Sequence, residues 1–469
     1  MTEQSIRTRL LPSLVYAALS TAIVSSLGML LVPTISREMD VSVSAAQWML
    51  TINLLVGAVA TPVMGRLSDG PHKKRLLLGS LAVILAGSVV AALAPNFTVF
   101  LIGRGMQGLS YGIVPVTIAL ARRYLSSDAV QFGISSLSVT VSTGIGIGYP
   151  LTGILAGTFD FRFAFWFAAL FVLTAIVVVL RVVPDGPDLQ APRTTFDVVG
   201  ASLLGVGLGT LLLAVSEGPN WGWASGVTIS AFVFAALVLA VWVRVELRVS
   251  HPLINLRVLR NGDVLLANAT AIGLGTAMYV GLSIASLVAQ APKSTGYGIA
   301  LPVLWAGFVM FPLSVGSFTA NRLVRVLSSR MNMSGLLPFG AAVVTVSTTL
   351  LWLAHDELWE VLIGMLIFGV GIGTTYAAMP GLIARSVAAA ELGSAVSFNQ
   401  VLRTVGGSIG SAIAGAVLAA NLAPDLHPTT KGIDLTLALG AIGCAVVFVA
   451  LLTHQLSSLR RRVGQRGPV

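Results

Sequence analysis

The sequence predicts an all-α polytopic membrane protein, on three observations. The first is composition: 469 residues that are 55% apolar and only 10% charged, with a mean hydropathy of +0.90. Ordinary soluble domains carry about 25% charged residues. The second is length: an apolar helix crosses the hydrocarbon in about 20 residues, and fourteen runs reach that scale, at 11–35, 47–67, 76–94, 97–121, 131–157, 161–183, 198–216, 222–243, 264–290, 299–321, 334–354, 358–384, 394–420 and 433–456. The third is charge placement. With the N-terminus in the cytoplasm, 22 of the 28 Lys and Arg fall on cytoplasmic segments and only Arg37, Arg162, Lys293 and Lys431 fall outside. A wrong count would scramble that alternation, so it predicts fourteen spans with both termini inside.

Composition also excludes alternatives. The 49 glycines show no Gly-X-Y period and suit close helix packing in lipid. Cys444 is the single cysteine, so an intrachain disulfide and a cysteine-built metal site are both ruled out. The net charge of +10 reads as loop orientation rather than nucleic-acid binding. The first apolar run is of span length, which predicts a retained helix rather than a cleaved leader. No His-Glu-x-x-His, Ser-His-Asp grouping or nucleotide motif is present. No cofactor, no metal and no enzymatic activity are therefore expected.

Taken in order, the spans carry stop signals such as Ala94-Pro95-Asn96, Gly218-Pro219-Asn220 and Ala423-Pro424-Asp425. Six spans (1–183) precede a polar linker containing Pro184, Pro187 and Pro192. Two more follow, then a basic linker at 244–263; together 184–263 form the linkers and the inserted pair. Six spans occupy 264–456, and a basic tail fills 457–469. The two sets of six echo each other. Gly108-x-x-Tyr111-x-x-x-Pro115 in the fourth span recurs as Gly373-x-x-Tyr376-x-x-x-Pro380 in the twelfth, and Gly144, Gly148 and Gly153 in the fifth recur as Gly406, Gly410 and Gly415 in the thirteenth. Repeated halves with a site between them are a transporter signature.

After the second span the chain reads Gly65-Arg-Leu67-Ser-Asp69-Gly-Pro-His72-Lys73-Lys74-Arg75, and the fourth span carries Arg104-Gly-Met-Gln107-Gly108. These resemble the loop signature and the buried Arg-x-x-Gln-Gly motif of the major facilitator superfamily. Gly148-Tyr149-Pro150-x-x-Gly153 is similar to its antiporter motif. The six-two-six layout, Trp221-Gly-Trp223 and Asn399-Gln400-x-x-Arg403-x-x-Gly406-Gly407 resemble its 14-span drug:proton antiporter branch. The resemblance spans essentially the whole chain and implies two pseudo-symmetric six-helix bundles plus two inserted helices. There are departures: Gly70 and His72 alter the basic loop, Tyr149 and Ile154 replace glycines, and Val24 stands where the branch commonly has an acid.

The resemblance implies that Asp69 latches the halves by accepting hydrogen bonds from a helix N-terminus, with Arg122 or Arg123 as the nearby arginine and Gly65, Lys73, Lys74 and Arg75 completing the loop. Arg104 and Arg403 lie within apolar spans. A mid-membrane arginine is costly and must face a cavity or a partner, so both are expected in a water-reachable interior between the bundles. Asn399, Gln400, Gly406 and Gly410 share a helical face with Arg403. Asn53, Tyr111, Asn268, Tyr279, Trp305 and Tyr376 are the further candidates for the substrate path. Gly144, Gly148, Pro150 and Gly153 are expected to bend and pack the fifth span.

None of the 18 acids sits at mid-span. An interior with two arginines and no carboxylate favours neutral or anionic, largely apolar cargo. A proton carrier would have to be a boundary acid such as Asp69 or Glu217, or the substrate itself; Glu217 reads as a solvated loop residue. The expected function is alternating-access export of small hydrophobic molecules, of drug or antibiotic type, driven by the proton gradient, from a monomer in a bacterial-type inner membrane. Its expected partners are a small-molecule substrate, the bilayer and protons. Facilitated uptake or lipid translocation on the same scaffold is the alternative, and a non-transporting sensor a more distant one.

Overall fold

The computed structural model describes residues 3–28, 30–41, 43–185, 196–250, 252–328, 333–388, 391–423 and 427–465. Among these the regular structure is helical, apart from one isolated bridge between Leu422 and Pro428. In chain order the helices are α1 (Glu3–Ser26), α2 (Val32–Glu38), α3 (Val43–Asp69), α4 (Lys73–Leu93), α5 (Phe97–Gln107), α6 (Ile113–Tyr124), α7 (Ser127–Thr158), α8 (Arg162–Val182), α9 (Val198–Trp221), α10 (Gly226–Glu246), α11 (Gly262–Gln290), α12 (Val303–Phe308), α13 (Phe311–Leu327), α14 (Met333–Leu353), α15 (Leu358–Ser386), α16 (Leu392–Ala419) and α17 (Thr430–Gln465).

Twelve of these are long and apolar enough to cross a bilayer, where the sequence predicts fourteen spans. The other two apolar runs are not single helices. The run at 97–121 divides into α5, a 3₁₀ segment over Gly108–Gly112, and α6. The run at 299–321 divides into α12 and α13. Each break has its own local setting. Pro312 opens α13 and has no N–H to extend α12. At Gly108 a side chain has no room: an added Cβ would lie 2.8 Å from both the Asn53 carbonyl oxygen and the Val56 Cβ of α3. The first run also breaks, because Gly28 takes φ +123°, a conformation that favours glycine.

The expected stop at Ala94-Pro95-Asn96 is present: α4 ends at Leu93, and the Asn96 side chain caps α5 by accepting from the Val99 N–H at 3.0 Å. The stop at Gly218-Pro219-Asn220 is not, since α9 runs through Pro219 to Trp221. Pro187, Pro192 and the Pro424-Asp425 turn lie outside the described residues.

Helices α1, α3–α6 and α8 pack mainly on one another and on α7, as do α11 and α13–α17 among themselves, while α7 and α12 pack most heavily across the boundary between these groups. The two groups meet along two seams. One joins α3 to α16; the other sets α7 against α12, α13 and α15. The inserted pair α9–α10 packs on itself, with α9 against α3 and α16. The sequence echo has a structural counterpart. Gly144 and Gly148 of α7 abut Ala22 and Ser26 of α1, while Gly406 and Gly410 of α16 abut Ile272 and Thr276 of α11. In both groups the fifth span uses glycines four apart to approach the first. An added Cβ at Gly406 or Gly410 would come within 2.9 Å of a backbone carbonyl carbon, so any side chain there would separate the helices.

Candidate functional site

The polar centre joins α16, α15 and α11 of one group to α7 of the other. On α16, Arg403 is 5% exposed, and its guanidinium lies 4.1 Å from the centre of the Tyr376 ring on α15. Its Nη2 donates to the Asn399 Oδ1 at 3.0 Å, one helical turn back. Both Nη atoms contact the Ser138 hydroxyl at 3.4 Å, and Ser138 belongs to α7 in the other group of helices. Nη1 also meets the Gln400 Oε1 at 3.4 Å. The Asn399 amide is itself held, donating to the Asn268 Oδ1 at 3.0 Å and the Ala267 carbonyl at 3.1 Å on α11. A chain of polar contacts thus runs from α11 through α16 and across the seam to α7. It fixes the guanidinium orientation while Nε stays without a hydrogen-bond partner.

Tyrosines complete this centre. Tyr111 lies close to Tyr279, across the boundary between the two groups, and to Ser25. Tyr149 lies close to Tyr279, as does Tyr376, so four of the seven tyrosines converge here. Tyr149, Ser138 and Ser25 are not among the residues the sequence singles out. The signal for Tyr149 was present, a bulky hydroxyl side chain where the resembling motif has glycine. Ser138 and Ser25 had none, because serine in an apolar helix is ordinarily satisfied by its own backbone.

Arg104 departs from expectation. It is fully buried, but inside the first group of helices rather than between the two. Its Nη1 donates to the Gln107 Oε1 at 2.6 Å and its Nε to the Met49 carbonyl of α3 at 3.3 Å; the ring of Phe165 on α8 lies 5.8 Å away. Gln107 in turn donates to Ser88 on α4 at 2.8 Å. Asn53 donates to the Arg104 backbone carbonyl at 3.1 Å, so it braces α5 against α3 and does not line a path between the groups. Trp305 also departs: it is 57% exposed on α12, against Phe308. Neither Arg104 nor Arg403 has a carboxylate partner among the described residues.

At the α3–α16 seam, both Asp69 oxygens are occupied: Oδ1 accepts from the Gly393 N–H at 2.6 Å and Oδ2 from the Ser394 N–H at 3.0 Å. These are the first turns of α16, where free N–H groups and the helix dipole favour an anion. Gly65 makes this approach possible, since a Cβ there would lie 2.7 Å from the Gly393 carbonyl oxygen. Arg122 donates to the Ala384 carbonyl of α15 at 3.2 Å, a further bond between the two groups, rather than to Asp69. Arg123 stacks on Tyr124. Lys73 donates to the Gly70 carbonyl, and Lys74 pairs with Asp185 at 2.7 Å beyond α8. The Lys74 hydrogen bond and charge hold the Asp185 carboxyl below the usual carboxylate range. Arg75 is exposed. Gly153 and Pro150 are buried in α7, which continues through Pro150 as one helix, with α12 approaching there at Gly307. Glu217 is 8% exposed and accepts from Asn220 at 2.9 Å, so it is a buried helix residue and not a solvated one.

The sequence profile of the Major Facilitator Superfamily matches residues 14–411. The chain belongs to the Major Facilitator Superfamily. It is a multi-pass membrane protein, with twelve candidate spans among the described residues. Similar proteins include an uncharacterized MFS-type transporter of Mycobacterium tuberculosis, 26% identical over 410 residues, covering 84% of this chain and 57% of that protein. The chain thus spans a little over half the length of that relative. The multidrug resistance protein Stp of the same organism is 28% identical over 382 residues, 80% of this chain and 69% of its own. The lincomycin resistance protein of Streptomyces lincolnensis is 26% identical over 381 residues, 80% and 77% respectively. Among solved structures, the human organic anion transporter MFSD10 superposes with a TM-score of 0.64 over 96% of this chain and 100% of that one, at 15% identity. That likeness establishes the fold.

Proposed function

We propose that this superfamily member exports small, largely apolar neutral or anionic molecules by alternating access, drawing on the proton gradient of a bacterial-type inner membrane. In this reading the broken pairs α5–α6 and α12–α13 each cross the bilayer. The protein then has fourteen crossings, with both termini and the Asp69 end of the bundle in the cytoplasm, as the Lys and Arg distribution favours. The resistance-protein relatives support export.

The observation that carries the substrate class is the setting of Arg403. It is a buried guanidinium that touches both helix groups, stacks on an aromatic ring and meets no carboxylate among the described residues. A lipophilic cation entering that centre finds charge of its own sign, at low dielectric and with nothing to offset it. A carboxylate, phenolate or carbonyl finds a donor. Asp69 on the α16 N-terminus holds the cytoplasmic seam closed, and rocking of the groups breaks that contact. The proton is carried by a boundary acid or by the substrate's own ionisable group.

The test is flux in proteoliposomes with an imposed pH gradient, comparing a lipophilic carboxylate, its neutral ester and a lipophilic ammonium of matched size. The carboxylate and ester are expected to move and the ammonium to lag. Ammonium flux equal to the ester's sinks the reading.

A further inference from the structure

The inserted pair α9–α10 closes on an acid. Glu246, the last residue of α10, is 1% exposed. Its Oε1 accepts from the Trp242 Nε1 at 2.9 Å and its Oε2 from the Ile254 N–H at 3.4 Å. Both donors belong to an apolar cluster that takes in Leu204 of α9 and Phe398 and Val401 of α16. Neither donor carries a charge, and no cation pairs with Glu246 among the described residues.

A second carboxylate faces it. Asp197 caps α9, its Oδ1 accepting from the Gly200 N–H at 2.7 Å, while its Oδ2 is buried without a hydrogen-bond partner. A Cβ added at Gly200 would lie 2.7 Å from the Glu246 Oε1 and would also collide with that Asp197 Oδ2. The two oxygens therefore border one small gap, as two acceptors with no donor between them. The basic residues of the neighbouring elements, Arg244 and Arg248 at the end of α10 and Arg257 and Arg260 in the turn beyond, are exposed. Arg257 donates to the Leu247 carbonyl at 2.7 Å, and Glu391 at the start of α16 accepts from Asn255 at 3.0 Å. Two carboxylates this close, away from water and without a cation, are relieved by holding one proton between them. A proton on Glu246 turns one of the two facing acceptors into a donor.

We propose that Glu246, with Asp197 beside it, binds one exchangeable proton, and that this pair is the boundary acid through which transport draws on the proton gradient. The coupling role rests on the proton-driven reading above; the proton binding does not. The position suits that role. Helix α9 touches both groups, hydrogen-bonding α3 through Ser216 and Thr51 at 2.8 Å and meeting α16 through the apolar cluster. Trp242, a donor to Glu246, also packs its ring on Phe398 of α16, the helix whose N-terminus receives Asp69. Loss of the proton charges both acids and pushes the start of α9 from the end of α10, at the point where the inserted pair grips α16.

The experiment is an infrared pH titration of the full-length protein in nanodiscs, read at the carboxylic-acid C=O stretch. It is paired with proteoliposome flux of the neutral ester, a cargo that brings no ionisable group of its own. Wild type is expected to hold carboxylic-acid intensity at neutral pH, part of which Glu246→Gln removes. Asp197→Asn is expected to move the midpoint of that part to lower pH by about one unit or more, a tenfold loss of proton affinity, because the neighbouring charge that favours the proton is gone. Intensity unchanged in Glu246→Gln, or a midpoint unmoved in Asp197→Asn, overturns the proposal. In flux, Glu246→Gln is expected to lower gradient-driven accumulation of the ester at least tenfold while ester counterflow without a gradient stays within about twofold. Wild-type accumulation in Glu246→Gln refutes the coupling role. The expected infrared titration in a protein that moves no ester at all would count against the export reading instead, and leave the proton site standing.

Discussion

Arg104 and Arg403 are the same side chain in the same predicament, each buried in an apolar helix with a polar residue three positions away, yet they serve different parts of the molecule. Arg104 finds its partners within the first group of helices: Gln107 on its own helix, the Met49 carbonyl on α3, and Phe165 on α8. Arg403 reaches Ser138 on α7, across the seam. Under the proposed rocking of the groups, a charge partnered within one group keeps its partners. A charge satisfied across the boundary does not, so its energy depends on conformation. Burial alone therefore marks an arginine as costly, and only the identity of its partners marks it as part of the moving machinery.

The strongest way to break this comparison is to remove each guanidinium. Arg403→Met is expected to cut carboxylate flux by roughly tenfold to a hundredfold, the loss of one charged hydrogen bond worth about 1.5–3 kcal/mol, with normal membrane insertion. Proteoliposome flux of the carboxylate at unchanged protein content measures it, and wild-type rates would remove Arg403 from the site. Arg104→Met should instead cost stability. It strands the Gln107 and Met49 oxygens, at about 1–3 kcal/mol each, and lowers the detergent melting temperature while flux per folded molecule stays within about twofold. A large flux defect in a normally melting Arg104→Met protein would erase the distinction.

Asp69→Asn sharpens the comparison from the other seam. It keeps an acceptor but loses the charge at the α16 N-terminus, worth about 0.3–1 kcal/mol and up to about 2 when partly buried. The readout is the labelling rate of a cysteine at Ser397, which is fully buried behind that contact, with Cys444 replaced. The rate should rise as the seam opens more often, and no change would show that Asp69 does not hold it. The smallest effect is expected at Trp305. It is exposed, so Trp305→Ala should leave carboxylate flux at wild-type level. A strong flux defect there would return it to the substrate path.

Much of this was legible in the residues. Apolar runs located the helices, because hydrogen-bond satisfaction in lipid leaves a chain few alternatives. The glycine echo located the two places where a fifth span meets a first span, because only a missing Cβ permits that approach. The Asp69 contact was anticipated through the resemblance of the Gly65–Arg75 stretch to the superfamily's loop signature. The division of 97–121 and 299–321 was not legible. Hydropathy averages over side chains, whereas one break precedes Pro312 and the other falls where the Gly108 backbone packs against α3. Nor was Trp305's outward direction, since an aromatic near a helix start carries no mark of the side it faces.

The sequence by itself determined that the chain is a bundle of membrane helices in two related halves, with cationic side chains inside and no carboxylate at mid-span. Local composition suffices for that, because the bilayer penalises each residue nearly independently. Only the tertiary structure decided which arginine reaches across the boundary, which tyrosines gather around it, and that Asp69 bonds the start of α16. Those outcomes depend on which helix faces which, and that is fixed jointly by residues hundreds of positions apart.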